Sequence, residues 1–220
     1  MSGYPCKNIM FDMDGVIANT SKIHSAAFQQ AFAEYDVNFD YESWKGTSTR
    51  DVVSGVFRNS SLSSADLEKL VTNKQNFALT NLKAATRKDL FFEEAITSLL
   101  DFAQFFNLGL CTSAGKASVE HILEVGGLSE LFTFVITSND VLQSKPSPEI
   151  YIKGVKKFGV SADECIVIED SKSGLIAARL AGCRIIHFGD KDEQSIASLP
   201  FFPEIVSISS YSDLRGLLLG

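Results

Sequence analysis

The feature that most constrains the fold is an alternation of short apolar runs with amphipathic segments in the second half of the chain. The runs are rich in β-branched and aromatic residues and are typical of strands buried on both faces, whereas the segments between them have helical spacing. Such alternation predicts a parallel sheet covered by helices on both sides. The predicted strands span residues 108–112, 132–136, 165–168, 184–188 and 205–208, and the predicted helices span residues 117–125, 148–158 and 174–181.

A block with only helical spacing follows the first predicted strand, residues 7–12. It extends from Thr20 to Leu82 and cannot join a sheet. We therefore predict a Rossmann-like, three-layer α/β core of residues 1–18 and 85–220, with an inserted small α-helical cap of residues 19–84. The predicted hinges are residues 18–20 and 83–88. Because ligands of open α/β sheets bind beyond the carboxyl ends of the strands, the cap is attached where a ligand would bind.

Composition limits the classes of partner. The chain has 220 residues, 20 basic and 27 acidic side chains and a net charge of −7, which argues against binding to nucleic acid or anionic membranes. Its four cysteines stand singly, as expected for buried, reduced residues rather than zinc ligands. No secretory signal is recognisable at residues 1–8, and the apolar stretch 95–111 is too short and polar to span a bilayer. We expect a cytoplasmic protein.

Polar side chains follow four of the predicted strands at the point where each ends or soon after it. Each has an ordinary explanation by itself: a turn, a solvated lysine or a helix cap. Together they indicate a site, because the carboxyl ends of parallel strands share one edge of the sheet. The residues are Asp12 and Asp14, Thr112 and Ser113, Lys145, and Glu169 and Asp170.

Carboxylates gathered at one edge repel each other unless a cation lies among them. Oxygen ligands without histidine or cysteine favour a hard ion, most simply Mg²⁺, which usually shares its ligands with water and substrate phosphate. A calcium loop is not predicted, because Gly15 comes two positions too early and Ile23 replaces the final glutamate. Nucleotide triphosphatases and dinucleotide enzymes are disfavoured, since neither GxxxxGK[ST] nor GxGxxG occurs.

An aspartate with a metal, a lysine and hydroxyl groups, but no histidine partner, favours phosphoryl transfer to a carboxylate. We expect Asp12 to attack phosphorus in line, with Lys145 and Thr112 neutralising charge on the equatorial oxygens. Asp14 is expected to protonate the leaving group and later to activate water.

In these motifs the chain resembles the haloacid dehalogenase-like superfamily, and within it the β-phosphoglucomutase-like group, which has a helical cap after the first motif. The resemblance implies that Asp12 is the nucleophile and a Mg²⁺ ligand, that the Asp14 carbonyl binds the metal, and that Asp170 binds it with Glu169 beside it. The four motifs are Asp12-Met-Asp-Gly-Val-Ile17, Thr112-Ser113, Lys145 in Ser-Lys-Pro-Ser-Pro-Glu, and Ile168-Glu-Asp-Ser-Lys-Ser-Gly174.

The resemblance also implies substrate contacts from the cap and from the loop after the second core strand. The cap residues are His24, Lys45, Gly46, Arg50 and Lys74, and the core residues are Ser113, Ala114 and Lys116.

The expected function is a Mg²⁺-dependent phosphatase of a small phosphorylated metabolite, with a sugar phosphate favoured, acting through an aspartyl-phosphate. A phosphohexose mutase of the β-phosphoglucomutase type is the main alternative. A non-catalytic regulatory protein and a dehalogenase are further alternatives, although a dehalogenase needs no Mg²⁺ and gives no reason for Glu169 and Asp170. We expect a monomer; residues 199–205, including Phe201 and Phe202, form either core or a dimer surface.

Overall fold

The computed structural model describes residues 6–92, 94–190, 194–201 and 205–220. Within these ranges six parallel strands form one sheet in the order β3-β2-β1-β4-β5-β6. This order reverses direction between β1 and β4, which is the point where doubly wound sheets bind ligands. The predicted Rossmann-like core is therefore confirmed. The strands are β1 (Asn8–Phe11), β2 (Asn107–Cys111), β3 (Phe134–Ile136), β4 (Cys165–Glu169), β5 (Arg184–Phe188) and β6 (Val206–Ile208).

The helices cover both faces of the sheet and form the inserted block. Their ends differ slightly from the predictions. Pro148, expected inside the first turn of a helix, is its N-cap residue, and the helix predicted to begin at Gly174 begins at Lys172 after the N-cap Ser171. The helices are α1 (Ser21–Phe32), α2 (Thr49–Val56), α3 (Ser64–Ala84), α4 (Arg87–Leu90), α5 (Ala95–Phe102), α6 (Lys116–Gly126), α7 (Glu149–Phe158), α8 (Lys172–Leu180), α9 (Gln194–Ala197) and α10 (Tyr211–Leu219).

The central strands β1 and β4 are buried along their whole length, which explains their unbroken apolar sequences. Successive residues point to opposite faces. Ile9 and Phe11 join one hydrophobic cluster, and Met10 joins the other. Each such side chain contributes about 1.5–3 kcal/mol through burial. The four cysteines are buried and unbridged, as predicted.

Residues 19–84 are all described, and none of them belongs to the sheet. Helices α1–α3 pack around a separate aromatic cluster, in which the rings of Phe28 and Phe39 lie 4.9 Å apart and those of Phe32 and Phe57 lie 5.2 Å apart. This block is the predicted helical cap. Its bounds at residues 19 and 84 as a domain stay a prediction.

The two chain segments that connect cap and core run side by side. Ala18 forms a β-bridge with Phe91, and the Asn19 amide donates to the Leu90 carbonyl at 2.8 Å. The second connection is shorter than the predicted hinge of residues 83–88, because α3 continues to Ala84 and α4 begins at Arg87. A capping box between Thr86 and Asp89 starts α4 at this point.

The sequence alone does not decide whether the apolar region after α9 forms core or a dimer surface. Leu199 is buried with Leu175 and Ile196, and Phe201 and Ile205 pack against the same cluster, which supports the core interpretation. Phe202 lies outside the described residues. Within the described ranges, no helix is both long and apolar enough to cross a membrane.

Candidate active site

A buried charged cluster lies where β1 and β4 end at the centre of the sheet. Asp12 follows β1, Glu169 is the last residue of β4 and Asp170 comes next. The Lys145 ammonium donates to Asp12 Oδ1 and to Glu169 Oε1, both at 2.6 Å, and to the Cys111 carbonyl at 3.1 Å. The structure thus brings together residues from separate strands, as their positions in the sequence predicted.

Lys145 is 1% exposed and has acceptors for all three of its N–H donors. Burial by itself would lower the pKa of Lys145, but the carboxylates of Asp12 and Glu169 outweigh burial and raise this pKa above its ordinary value. The side chain therefore remains a cation at neutral pH, fixed in direction by its three acceptors.

Glu169 accepts hydrogen bonds at both of its carboxylate oxygens. Besides Lys145, the Tyr151 hydroxyl donates to Oε1 at 2.9 Å. Oε2 accepts from the amides of Asp170 and Ser171 and from the Ser171 hydroxyl, each at 3.0 Å. Burial would raise the pKa of Glu169, but Lys145 and these donors lower it below its ordinary value. Glu169 is thus an ionised carboxylate held on all sides by the protein.

The carboxylates of Asp12 and Asp170 have fewer hydrogen-bond and ionic partners that offset the cost of their burial. Burial raises the pKa of Asp12 well above its usual range against the attraction of Lys145. Burial also raises the pKa of Asp170 to about 7, although Lys45 Nζ lies 2.8 Å from Asp170 Oδ2. One oxygen each from Asp12, Glu169 and Asp170 lie within 4.8 Å of one another. A buried, all-oxygen donor set with excess negative charge fits a hard divalent cation such as Mg²⁺.

Asp14 is the first of a series of hydrogen-bonded side chains that leads into the cap. Asp14 Oδ1 accepts from the Thr20 hydroxyl at 2.5 Å and lies 3.2 Å from His24 Nε2, while Lys74 Nζ lies 3.1 Å from His24 Nδ1. Because an ammonium only donates, this network assigns the His24 proton to Nε2, which then donates to Asp14.

Asp14 and Lys74, the charged residues at the two ends of this series, have shifted pKa values. Burial would raise the pKa of Asp14, but His24 and Thr20 outweigh burial and lower it. Burial lowers the pKa of Lys74 to about 8.

The loop after β2 forms the opposite wall of the site. The Thr112 hydroxyl accepts from the Ala114 amide at 3.1 Å, and the Ser113 hydroxyl donates to the Gly46 carbonyl of the cap at 2.9 Å. Asn139 Oδ1 accepts from the Lys116 amide at 3.0 Å and so caps the start of α6. The loop is therefore fixed both by its own hydroxyl group and by contact with the cap.

A cavity of about 430 Å³ lies between cap and core, with Asp12 and Asp14 in its wall. This volume is in the range of small-molecule sites. Phe28, Tyr41 and Trp44 contribute aromatic surface from the cap. The predicted substrate residues His24, Lys45, Gly46, Lys74, Ser113, Ala114 and Lys116 all line it.

Arg50 is the predicted substrate residue that does not line this cavity. It lines an adjoining cavity of about 190 Å³, and its side chain is 62% exposed and paired with Glu68, with Nη2 3.0 Å from Oε2. The sequence could not show this pairing, because Glu68 belongs to a different helix.

Sequence reasoning missed three residues that support the site. Thr20 holds Asp14, Tyr151 holds Glu169, and the Glu149 carboxylate accepts from the amides of Leu142 and Gln143 in the loop that presents Lys145. A signal was available for Glu149, because it is the last residue of the motif that contains Lys145. No sequence signal marked Tyr151, which lies two residues beyond that motif.

Comparison with known proteins identifies related sequences and structures. Residues 9–188 match the family described as haloacid dehalogenase-like hydrolase. The chain is 26% identical to a haloacid dehalogenase-like hydrolase domain-containing protein of Arabidopsis thaliana, over 96% of this chain and 77% of the relative. It is 27% identical to the fructose-1-phosphate phosphatase YqaB of Escherichia coli, over 79% of this chain and 92% of that protein. A β-phosphoglucomutase structure from Clostridium difficile is similar in fold, with a TM-score of 0.82, 22% identity and coverage of 95% and 93%.

Proposed function

This chain belongs to the haloacid dehalogenase-like hydrolase family, and from this we propose that it is a Mg²⁺-dependent phosphatase of a small phosphorylated metabolite. The observation that carries the proposal is Lys145, which joins Asp12 to Glu169 through two hydrogen bonds of 2.6 Å beside the cavity between cap and core. Sugar phosphates are the proposed substrate class, because lysine, hydroxyl-bearing and aromatic side chains line that cavity and a sugar phosphatase is among the relatives.

Asp12 is the proposed nucleophile. Its Oδ1 is bound to Lys145, so we assign the attack on phosphorus to Oδ2. A bond forms between this oxygen and phosphorus while the ester bond to the leaving oxygen breaks, and Lys145 offsets the negative charge. Asp12 and Asp170, with the Asp14 carbonyl and Glu169 beside them, would hold Mg²⁺, which neutralises phosphoryl oxygens when bound.

Asp14 is the proposed acid and base. In its protonated form Asp14 gives its proton to the leaving oxygen. The carboxylate so formed then takes a proton from the water that attacks the aspartyl-phosphate, which releases phosphate and the Asp12 carboxylate and restores protonated Asp14. Thr20 and His24 hold Asp14 Oδ1 for this role. Since His24 lies in the cap, closure of the cap both positions the acid and limits the entry of water.

A phosphohexose mutase is the second candidate. The observation that favours it is the structural similarity to a β-phosphoglucomutase over nearly the whole chain. A mutase would form the same aspartyl-phosphate and return the phosphoryl group to another hydroxyl of the sugar. Against it stands Arg50, which is turned away from the cavity and paired with Glu68.

Phosphate release from a panel of sugar phosphates, nucleotides and short phosphoesters tests the proposal. We expect activity with Mg²⁺, loss of activity with a chelator, and a decrease of roughly a thousand-fold or more in Asp12→Asn. Asp163→Asn, an exposed position after α7, is the matched control and should keep wild-type turnover. Equal turnover in Asp12→Asn and wild type would refute the nucleophile. Failure of wild type to release phosphate, or to bind a fluoride-based phosphate analogue with Mg²⁺, would favour a non-catalytic protein.

Incubation with β-glucose 1-phosphate and a trace of sugar bisphosphate separates the two candidates. Free phosphate without glucose 6-phosphate supports the phosphatase. Accumulation of glucose 6-phosphate faster than phosphate would instead show a mutase.

A further inference from the structure

We infer that Tyr151 is a positioning residue for this reaction, whose hydroxyl holds Glu169 in place under Lys145 and thereby fixes the ammonium on Asp12. The inference rests on the proposed function, and it adds a residue to the machinery that the motifs do not contain. It is carried by contacts within one buried cluster rather than by a charge on Tyr151.

The Tyr151 side chain is fully buried, and its hydroxyl donates to Glu169 Oε1 at 2.9 Å. The same oxygen accepts from Lys145 at 2.6 Å. The Lys145 ammonium also lies 5.1 Å from the centre of the Tyr151 ring, within the range of a cation–π contact. Tyr151 therefore contacts both members of the ion pair that supports the nucleophile.

The hydroxyl matters because of how Glu169 is held. Oε2 is fixed by two amides and the Ser171 hydroxyl, whereas Oε1 is fixed only by Lys145 and Tyr151 among the described contacts. Without the phenol hydroxyl, Oε1 has the Lys145 ammonium as its one remaining donor among the described contacts. The carboxylate can then turn, and Lys145 moves with it relative to Asp12. A displacement of about 1 Å can lower the rate of such a step up to a hundred-fold.

The local chain explains how Tyr151 reaches this position. Lys145 precedes α7 and Tyr151 lies in its first turn, so one loop–helix unit presents both side chains. Glu149 fixes this unit by accepting from the amides of Leu142 and Gln143 at 3.0 and 2.8 Å. Helix α7 also lies close against β1, since a Cβ at Gly154 would be 2.3 Å from Met10 Sδ. The packing of α7 therefore determines the position of the Tyr151 ring, and the hydrogen bond to Glu169 determines the direction of its hydroxyl group.

The test is Tyr151→Phe, which keeps the ring and removes one oxygen. We expect kcat for phosphate release to decrease about ten-fold with KM within about two-fold, because the change affects the reacting groups rather than substrate binding. Tyr211→Phe is the matched control. Its hydroxyl is buried and donates to the Val16 carbonyl at 3.1 Å, so the same atom is lost away from Lys145. We expect a similar decrease in thermal stability and a kcat within about two-fold of wild type.

A double-mutant cycle with Glu169→Gln separates positioning from a purely structural role. If Tyr151 acts through Glu169, Tyr151→Phe changes kcat less in the Glu169→Gln background than in wild type. Additive effects, or a Tyr151→Phe enzyme with wild-type kcat, would overturn the inference while leaving the proposed function intact. A wild-type protein without Mg²⁺-dependent phosphate release would overturn the proposed function itself, and with it this inference.

Discussion

Lys145 shows how a single side chain can decide whether a group of buried carboxylates is tolerated. Its two ion pairs, with Asp12 and Glu169, involve side chains that are at most 7% exposed. Removing one member of such a buried arrangement leaves unpaired charge in a poorly solvated place, which costs far more than the loss of a surface pair.

Replacement of Lys145 should therefore affect folding as well as catalysis. We expect Lys145→Met to lower the free energy of unfolding by about 3–5 kcal/mol at pH 7, measured by urea denaturation. Lys153→Met is the matched control, because Lys153 is 41% exposed and pairs with Glu149 on the surface of α7. Similar stability of the two variants would contradict the buried ion pairs described here.

Lys74 predicts a particular dependence of stability on pH. Its pKa is lowered from 10.5 to about 8 by burial. Between these values the unfolded chain binds a proton that the folded protein lacks, so stability increases as pH rises through this window. Below it the folded state bears the cost of a buried charge. Lys74→Met should therefore be more stable than wild type at pH 7, by about 1–3 kcal/mol.

Urea denaturation from pH 7 to pH 10.5 measures this effect. The difference between Lys74→Met and wild type should shrink as pH rises, whereas Lys69→Met, at an exposed position of the same helix, should differ little from wild type throughout. A constant difference across this range would show that Lys74 does not titrate there. Phosphate release should fall in Lys74→Met despite its greater stability, because Lys74 orients His24.

The role of a residue could be predicted where the end of a strand positions it. It could not be predicted where a partner distant in the sequence determines its position. Asp12, Glu169 and Asp170 could be found because they stand at the ends of unmistakable buried strands. Tyr151 could not be assigned a role, because a tyrosine on the buried face of a helix is ordinary core until its hydroxyl is located. The position of Arg50 depends on Glu68, whose proximity arises only from the packing of α2 on α3.

At the scale of elements, helix α8 begins directly against the active site. Gly174, in its first turn, has no side chain, and a Cβ there would lie 1.8 Å from Glu169 Oε1. The glycine is therefore required by the close approach of the helix to the carboxylate that holds Lys145. Its amide also donates to the Ser171 hydroxyl at 3.1 Å, which caps the helix.

The same substitution in two helices should give opposite results. Gly174→Ala must displace the Glu169 carboxylate, so we expect both stability and phosphate release to fall. Gly216→Ala, in α10, meets nothing within 4 Å and should stabilise the protein by about 0.5–1 kcal/mol with unchanged turnover. Thermal unfolding and phosphate-release assays of both variants measure this. Wild-type activity in Gly174→Ala would contradict the close packing of α8 on Glu169.

The sequence predicted the elements better than their ends. Continuous apolar runs identify the strands, and each of the six described strands lies where such a run occurs. The prediction of burial on both faces is wrong for the edge strand β6, in which Val206 is 41% exposed because no further strand or helix covers it among the described residues. Helix starts were displaced because they depend on capping. Ser171 accepts from the Gly174 amide and starts α8 earlier than its apolar spacing indicates, and Pro148 serves as a cap before α7.

At the scale of the whole molecule, cap and core meet over the site through polar contacts from separate parts of the chain. The Ser113 hydroxyl donates to the Gly46 carbonyl at 2.9 Å, the Ser173 hydroxyl donates to the Lys45 carbonyl at 3.2 Å, and Ser144 binds Asp51. Such contacts exchange readily with water, as the proposed closure of the cap requires. The sequence could not predict these contacts, because their partners are far apart in the chain and no pattern of residue spacing connects them.

Gly46 lies in close contact with the core, and its substitution should prevent closure of the cap. Its φ is +77°, and a Cβ there would lie 2.1 Å from the Ser171 hydroxyl oxygen. We expect Gly46→Ala to lower kcat/KM for phosphate release by about 10–100-fold. Small-angle scattering should also show no compaction on addition of a phosphate analogue with Mg²⁺.

Gly127→Ala is the matched control for Gly46→Ala. Gly127 has a similar φ of +68°, but a Cβ there meets nothing within 4 Å. This variant should lose about 1–2 kcal/mol of stability through backbone strain alone and keep wild-type kinetics. If both variants behave alike, strain rather than cap closure explains the effect at Gly46.

The bridge between Ala18 and Phe91 places the start and the end of the insertion next to each other. An ancestral gene could therefore acquire, lose or exchange the intervening segment without altering the order of the strands. Selection on that segment can change which substrate binds, while the core residues proposed to cleave the phosphate ester stay under separate constraint. Diversification of substrate range at constant chemistry is the evolutionary outcome that this arrangement favours.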